Sequence, residues 1–553
     1  MKRVYFTLAL MSLFGGLNAF AQTYKSIGGV KYGLMQDNKT CIVIGDDNAT
    51  GDITFKKEVE INGGKYTVTG VCGSEDYPKE ATDQKKGFSG NDKITSITFE
   101  DGSQITWIGD HAFKSCSSLK TINNVPTVLN FINYWCFEST ALESVDLSKT
   151  SLKYLPNGCF YDCEQLKEVK LPPSLTTPNE GNWNRDFDTM YGKQAFQKTA
   201  IESIDLTNTK LISLGDYMFA ECKRLKTVKL PSTLKYIWNH AFYESSLPSI
   251  TFPPSLEQID PWAFQNSQLT NVVIPTKCGS IEQGAFDSNN NLTTVVINGP
   301  VCKLKVSAFA KCDKLKDVYI TSNVEPNAER YGYPFTNNPT VHVVPNFLET
   351  FKGLQTCNTT NFDSNLSITL SKDWTTFSSA YNLDFSSVEG LTAYAAKYDK
   401  ANDAVALTPV KKVQAHTGLI LKGEAGKTYT LPILNSNEDG LEKVPDNQLQ
   451  DCVDAVWSTG RDNDYFLSNG EFVKSAHDGW VLPGKSYLYI NGRRPNNSGS
   501  PLRVYVDNTA TAINGITNNP VVKDEAYYNL QGVKVQRPQH GVFIHNGKKV
   551  VLK

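Results

Sequence analysis

A phenylalanine returns along the middle of this chain at Phe88, Phe113, Phe137, Phe160, Phe196, Phe219, Phe242, Phe264, Phe286 and Phe309, with gaps of 25, 24, 23, 36, 23, 23, 22, 22 and 23. A near-fixed period in this range describes a solenoid of stacked repeats, whose function lies on its surfaces. About four inward apolar side chains per repeat contribute roughly 6 to 12 kcal/mol if fully buried. Ordering about 23 residues costs on the order of 1 kcal/mol each. A single repeat cannot stand alone, whereas a stack can.

The rest of each repeat keeps the same beat. Five residues before the phenylalanine stands Ile or Leu, as in Ile108, Ile132, Leu155, Leu214, Ile237, Ile259, Ile281 and Leu304. One residue before it stands a small or soft side chain, such as Ala112, Cys136, Cys159 or Ala241. Beyond it come two apolar residues at period two, for example Val228 with Leu230 and Val318 with Ile320. Period two with polar residues between is the mark of a half-buried strand.

Three residues after the phenylalanine two versions of a turn separate. Where Cys or Asn stands there (Asn91, Cys116, Cys163, Cys222, Asn289, Cys312), the next apolar anchor follows six residues after the phenylalanine. Where Thr or Ser stands there (Thr140, Thr199, Ser245, Ser267), it follows five after. The position reads as an inward turn residue tied to loop length, able to bond the bent backbone.

Ile or Leu, Ala-Phe, a Cys/Thr/Asn step and a Leu-x-x-Val-x-Leu-Pro strand together resemble the BspA-type leucine-rich repeat of Bacteroidetes surface proteins. The resemblance covers about residues 88 to 351, with Phe335, Val341, Val343 and Val344 in the closing rung. It implies a β-rich leucine-rich repeat solenoid of about ten 22–25-residue repeats and a role in adhesion to host matrix proteins or other microbes. Residues 22–87, with a hairpin turn at Asn62-Gly63-Gly64, read as an N-terminal β cap over the open end of the core.

The first residues set the expected compartment. Lys2 and Arg3, an apolar run from Val4 to Leu17 and Ala19-Phe20-Ala21 have the layout of a signal peptide over residues 1–21, so the protein is expected to be exported, to the cell surface or beyond. No other apolar run reaches the ~20 residues of a membrane-spanning helix. Net charge −2 with 20% charged residues gives no field that would attract nucleic acid. Twelve cysteines are sparse for an exported disulfide scaffold, and at least six fall at core positions, which favours buried thiols. Cys136 and Cys159, equivalent on successive rungs ~5 Å apart, stand at a distance that a disulfide can span.

Residues 352–365 read as a polar linker and residues 366–510 as an all-β, sandwich-like accessory domain of short strands between turns. Trp374 to Phe377, Val388 to Leu391 and Gly418 to Gly423 resemble an accessory β module of Bacteroidetes surface proteins. Residues 511–553 form a short β tail. Tyr527 to Gly532, Gly541 to Ile544 and Asn546 to Val551 resemble the end of the sorting domain of the type IX secretion system, although only Asn519-Pro520 stands where that domain opens with Pro-Asn-Pro.

Neither a catalytic constellation nor a cofactor motif is evident. Asp46, Asn48, Thr50 and Gly51 imitate the start of a calcium loop, but Lys57 stands at its twelfth position; Asp462, Asn463 and Asp464 fail likewise at Val473. His111 and His240 share one repeat position, which repeat architecture explains. Tyrosines and tryptophans of the β domain read mainly as core, with sugar stacking as the alternative.

What remains is surface. The outward residue of each strand gives the row Asn123, Asp146, Lys170, Asp205, Lys229, Thr251, Val273, Val296, Tyr319. Its charged half pairs opposite charges on adjacent rungs. Its far half, Val273, Val296 and Tyr319, is an exposed apolar stripe by this reading and a candidate contact site. The long gap between Phe160 and Phe196 brings in Trp183, Arg185, Phe187 and Met190, a second candidate. The expected partner is an extracellular protein or glycan, bound without cofactor or metal. A self-associating envelope protein is the alternative, and a glycan-binding or glycan-processing role of the β domain the third reading.

Overall fold

The computed structural model describes residues 24–506 apart from 36, 38, 47, 74–86, 178–191, 300–301, 323–330, 355–356, 358, 443, 459–462, 475–478 and 492–500, and beyond these the strands Tyr527–Tyr528, Lys534–Val535, Gly541–His545 and Lys548–Leu552. The expected signal peptide lies outside the described residues.

The phenylalanine period becomes a ladder of rings. From Phe88 to Phe309 each ring stacks on the next with centroids 4.9 to 5.7 Å apart. Phe55 extends the ladder at one end, 5.8 Å from Phe88, and Phe335 at the other, 6.0 Å from Phe309. All the ladder rings are buried. The ladder is the spine of a β-solenoid of about 12 turns.

From Phe113 to Phe309 the rings are flanked by strain that the stack offsets. The residues two before and two after each of them have left-handed φ, and most are not glycine: Tyr217 (56°) and Glu221 (57°) around Phe219, His240 (54°) and Glu244 (52°) around Phe242. That conformation costs roughly 1 to 2 kcal/mol per non-glycine residue. In these turns every second N–H points along the axis. Thus Tyr217, Phe219 and Glu221 donate to the carbonyls of Asn239, Ala241 and Tyr243 on the next rung.

The turn position three after the ring is inward, as its chemistry suggests. Cys116, Cys163, Cys222 and Cys312 direct their thiols to the phenylalanine carbonyl one rung back, at 3.0, 3.0, 3.0 and 3.2 Å. Thr140 and Thr199, on the shorter loop, bond the carbonyl of their own Phe137 and Phe196 at 3.0 and 2.9 Å. Asn289 reaches both, Phe264 at 2.7 Å and Phe286 at 2.9 Å. Ser245 departs from the pattern, its hydroxyl buried without a partner. All twelve cysteines are buried and free, Cys136 and Cys159 among them.

Parallel strands line two faces of the stack, each face divided into several short sheets. One holds the period-two strands, pairing Ser144–Asp146 with Glu168–Lys170, Ser203–Asp205 with Thr227–Lys229, and Asn271–Ile274 with Thr294–Ile297, Asp317–Ile320 and Thr340–His342. The other carries a side sheet built from two-residue strands such as Tyr236–Ile237, Gln258–Ile259 and Ser280–Ile281. At the N-terminal end, Gly51–Phe55 pairs in parallel with Ile94–Phe99, so the cap region itself supplies a rung. Its hairpin turns on Asn62 and Gly63, both with positive φ, between Ile61 and Gly64.

Residues 352–365 are not a plain linker. They begin in the last residues of a short helix, Leu348–Gly353, and contain the strand Asn361–Asp363, which pairs with Thr340–His342 as the last strand of that sheet. Phe351 and Cys357 are buried in the solenoid core. Polar composition concealed this rung because only its alternate positions face inward. A single residue, Ser364, separates it from Asn365–Thr369, the first strand of the β domain.

That domain is antiparallel. One sheet joins Asn365–Thr369, Thr428–Leu434, Asn382–Asp384 and Lys412–Val413; a second joins Trp374–Phe377, Leu419–Lys422, Thr392–Asp399, Ala404–Val410 and Arg503–Val506. Leu383, Ala393, Leu421 and Leu431 lie in the core between them. Val506–Lys553 forms a separate unit with a four-stranded antiparallel sheet. Among the described residues no helix is long and apolar enough to cross a membrane.

Candidate interaction surface

The outward row changes character along the stack. Asn123, Asp146, Lys170, Asp205 and Lys229 are exposed, Thr251, Val273 and Val296 are half-buried, and Tyr319 is only 4% exposed. The exposure expected for the apolar end does not hold at Val296 and Tyr319, because the chain's own β domain covers them. Tyr319 belongs to the core cluster that contains Tyr381, Leu383 and Leu431, and Val296 packs against the same cluster. The row continues past Tyr319 to His342, whose ring stacks on Tyr319 at 4.2 Å and whose carbonyl accepts the Tyr381 hydroxyl at 2.8 Å.

Polar groups fix the same seam. The Asp454 carboxylate accepts the Thr276 N–H, with both oxygens at 3.0 Å. The buried Asn298 amide donates to the Val453 carbonyl at 2.9 Å. The Trp480 indole N–H points to the Leu230 carbonyl at 3.4 Å, one residue beyond Lys229. The cover thus reaches back along the row to the rung of Lys229. Asp454, Trp480 and Tyr381 were not singled out by sequence. The available signal was the row itself, since an apolar stretch on a charged face calls for a cover.

The open half is a field of paired charges. Lys229 Nζ lies 3.1 Å from Asp205, Lys226 3.2 Å from Glu202, and Asp146 stands in register with Lys170. Burial pushes the Asp205 carboxyl up, but bonds from Thr207 together with Lys229 outweigh it and hold the group below its ordinary value. The Ser148 hydroxyl, with Lys170 and Lys149 nearby, lowers Asp146 likewise against a smaller desolvation effect. Trp183, Arg185, Phe187 and Met190 lie outside the described residues. Among the described residues no group of three or more His, Cys, Asp or Glu side chains is arranged to hold a metal. Asp46 accepts the Asn48 N–H at 2.9 Å within its own turn.

Residues 84–184 and 189–316 match the BspA type Leucine rich repeat region, in 6 copies. Similar solved structures include a leucine-rich repeat protein from Bacteroides ovatus, 20% identical over 58% of this chain and 76% of that one, with a TM-score of 0.39. The pneumococcal vaccine antigen PcpA is 19% identical over 63% of this chain and 99% of that one, TM-score 0.32. A leucine rich cell surface protein from Faecalibacterium prausnitzii is 17% identical over 57% and 99%, TM-score 0.28. No curated protein matches the chain. In their six matched copies, their spacing and the ladder they build, residues 84–184 and 189–316 are similar to the BspA type Leucine rich repeat region.

Proposed function

We propose that the protein is exported and binds a protein partner, from a host matrix or another microbe, on the open half of its strand face, without catalysing a reaction. The family's repeats are binding modules in general. The observation that carries the reading is the contrast along one row: the chain seals the apolar end with its own domain and leaves Asp146, Lys170, Asp205 and Lys229 exposed. Trp183, Arg185, Phe187 and Met190 enter the sequence between the rungs of Lys170 and Asp205. Large aromatic side chains are common anchors of binding interfaces.

The test is binding of the full chain to immobilised matrix proteins, using a swapped pair, Asp205→Lys with Lys229→Asp. The swap preserves the intramolecular ion pair but alters the charge pattern that a partner meets. It should weaken binding at least ~10-fold, at a stability cost of ~1 to 2 kcal/mol from the two Thr207 bonds that a lysine side chain cannot accept. Deletion of residues 178–190 should weaken binding by ~2 kcal/mol or more if that segment supplies the anchors. Binding indifferent to both changes would exclude this face. Concentration-dependent self-assembly with no matrix binding would favour a structural envelope role.

A further inference from the structure

The side sheet carries an open groove of about 530 Å³, lined by Tyr236, Glu257, Gln258, Lys277, Gly279 and Ser280. It is distinct from the strand face discussed above, and a glycine lies in its lining. Two residues before the inward isoleucine of successive rungs stand Lys235, Glu257 and Gly279, preceding Ile237, Ile259 and Ile281. A column of long side chains therefore breaks off at Gly279.

The fold does not require glycine there. Gly279 is not left-handed, and a Cβ built on it would meet nothing closer than the Glu257 carbonyl oxygen, at 3.9 Å. Gly284, five residues later, is different: its φ is +62° and its Cβ would lie 2.6 Å from the Trp262 ring. Glycine loses more conformational freedom on folding than any other residue. A glycine that neither backbone nor packing demands keeps space open.

The walls of that space are held in place. The Tyr236 hydroxyl donates to Glu257 at 2.7 Å, and the Tyr236 ring stacks on Trp238 at 5.3 Å. Glu257 also meets Lys235 at 3.4 Å. Gln258 donates to Asp260 at 2.6 Å, and Ser280 donates to Glu282. Lys277 follows Thr276, whose N–H is gripped by Asp454.

The lining has one carboxylate and one ammonium, so no surplus charge selects a polyanion. It offers hydroxyl, amide, carboxylate and ammonium groups with further donor and acceptor capacity, beside a fixed aromatic ring. A sugar ring matches this mixture, presenting hydroxyls and an apolar C–H face together. We propose that this groove binds a neutral oligosaccharide, laid along the side sheet with part of its surface in water.

The experiment is calorimetric titration of the full chain with linear hexasaccharides of glucose, mannose, galactose and N-acetylglucosamine, with heparin as the polyanionic control. At least one neutral hexasaccharide should bind. Gly279→Arg and Tyr236→Ala should each weaken that binding at least ~10-fold, while Gly279→Arg melts with the wild type. The proposal is overturned if no neutral hexasaccharide binds below ~10 mM, if only heparin binds, or if binding ignores both substitutions. Unfolding of Gly279→Arg would overturn it too, by showing that the glycine is structural. Sugar binding lost in the Asp205/Lys229 swap but retained in Gly279→Arg would move the sugar to the strand face.

Discussion

Asp454 holds Thr276 by its backbone, both carboxylate oxygens lying 3.0 Å from one N–H across 178 residues of chain. Thr276 belongs to the turn after the strand of Val273, and Asp454 to the β domain, so this contact joins the cover to the face it covers. With Ser364 alone between the last rung and the first strand of the β domain, the cover is not on a free tether. Asp454→Ala should cost ~1 to 3 kcal/mol, because it leaves the Thr276 N–H and part of the Asn298 amide short of an acceptor. Urea denaturation measures it, and a loss below ~0.5 kcal/mol would mean that water replaces the carboxylate.

The ladder and the row should respond very differently to truncation. Phe219 is fully buried, stacked 5.4 Å from both Phe196 and Phe242, so Phe219→Ala should cost ~3 to 5 kcal/mol through the cavity it leaves. Lys229 is more than half exposed in its pair with Asp205, so Lys229→Ala should cost under ~1 kcal/mol. Similar costs from equilibrium unfolding would contradict the assigned faces.

The turn thiols should be silent in the native protein. Burial pushes Cys116 and Cys312 up to about 12 and Cys163 and Cys222 up to about 11, leaving almost no thiolate at neutral pH. Iodoacetamide should label them only after denaturation. Rapid native labelling of any of the four would place it outside the core.

One histidine gives the β domain a pH signature. The bond that its ring donates to the Asp451 carboxylate, 3.3 Å away, raises His416 above its ordinary value against a smaller opposing effect of burial. The imidazolium therefore contributes stability that is complete below the unfolded value of ~6.5 and lost as pH rises through the folded value. His416 has φ +60°, which asparagine tolerates. The stability difference between wild type and His416→Asn should shrink from pH ~6 to ~8 in thermal melts. A difference that grows with pH would reverse the assigned direction.

The stacking order from Phe88 to Phe309 was legible in the sequence because each contact joins a residue to its equivalent one rung on, so the same side-chain choice recurs every period. The inward role of Cys222 and Thr199 followed from their correlation with loop length. Phe55 was hidden because a hairpin and an insertion separate it from Phe88 and break the beat. The left-handed turns were hidden for another reason: Glu221, Lys198 and Trp262 hold a conformation usually read from glycine or asparagine, and only the axial hydrogen bonds of the assembled stack stabilise it there.

The sequence by itself therefore determined the repeat, its inward faces and the alternation of charge from Asp146 to Lys229, all consequences of neighbour-to-neighbour contacts that a period records. Tertiary structure decided which part of the outward row stays open. Val296 and Tyr319 alternate as any outward residues do, and their covering follows from the cluster of Tyr381 and Leu383 packed against them, beside the contact of Asp454 with Thr276. Such a fit joins segments far apart in the chain through matching shapes, and no local pattern of residues encodes a shape. The groove at Gly279 obeys the same rule: a glycine in a turn reads as punctuation until the long side chains on the rungs beside it show what it leaves empty.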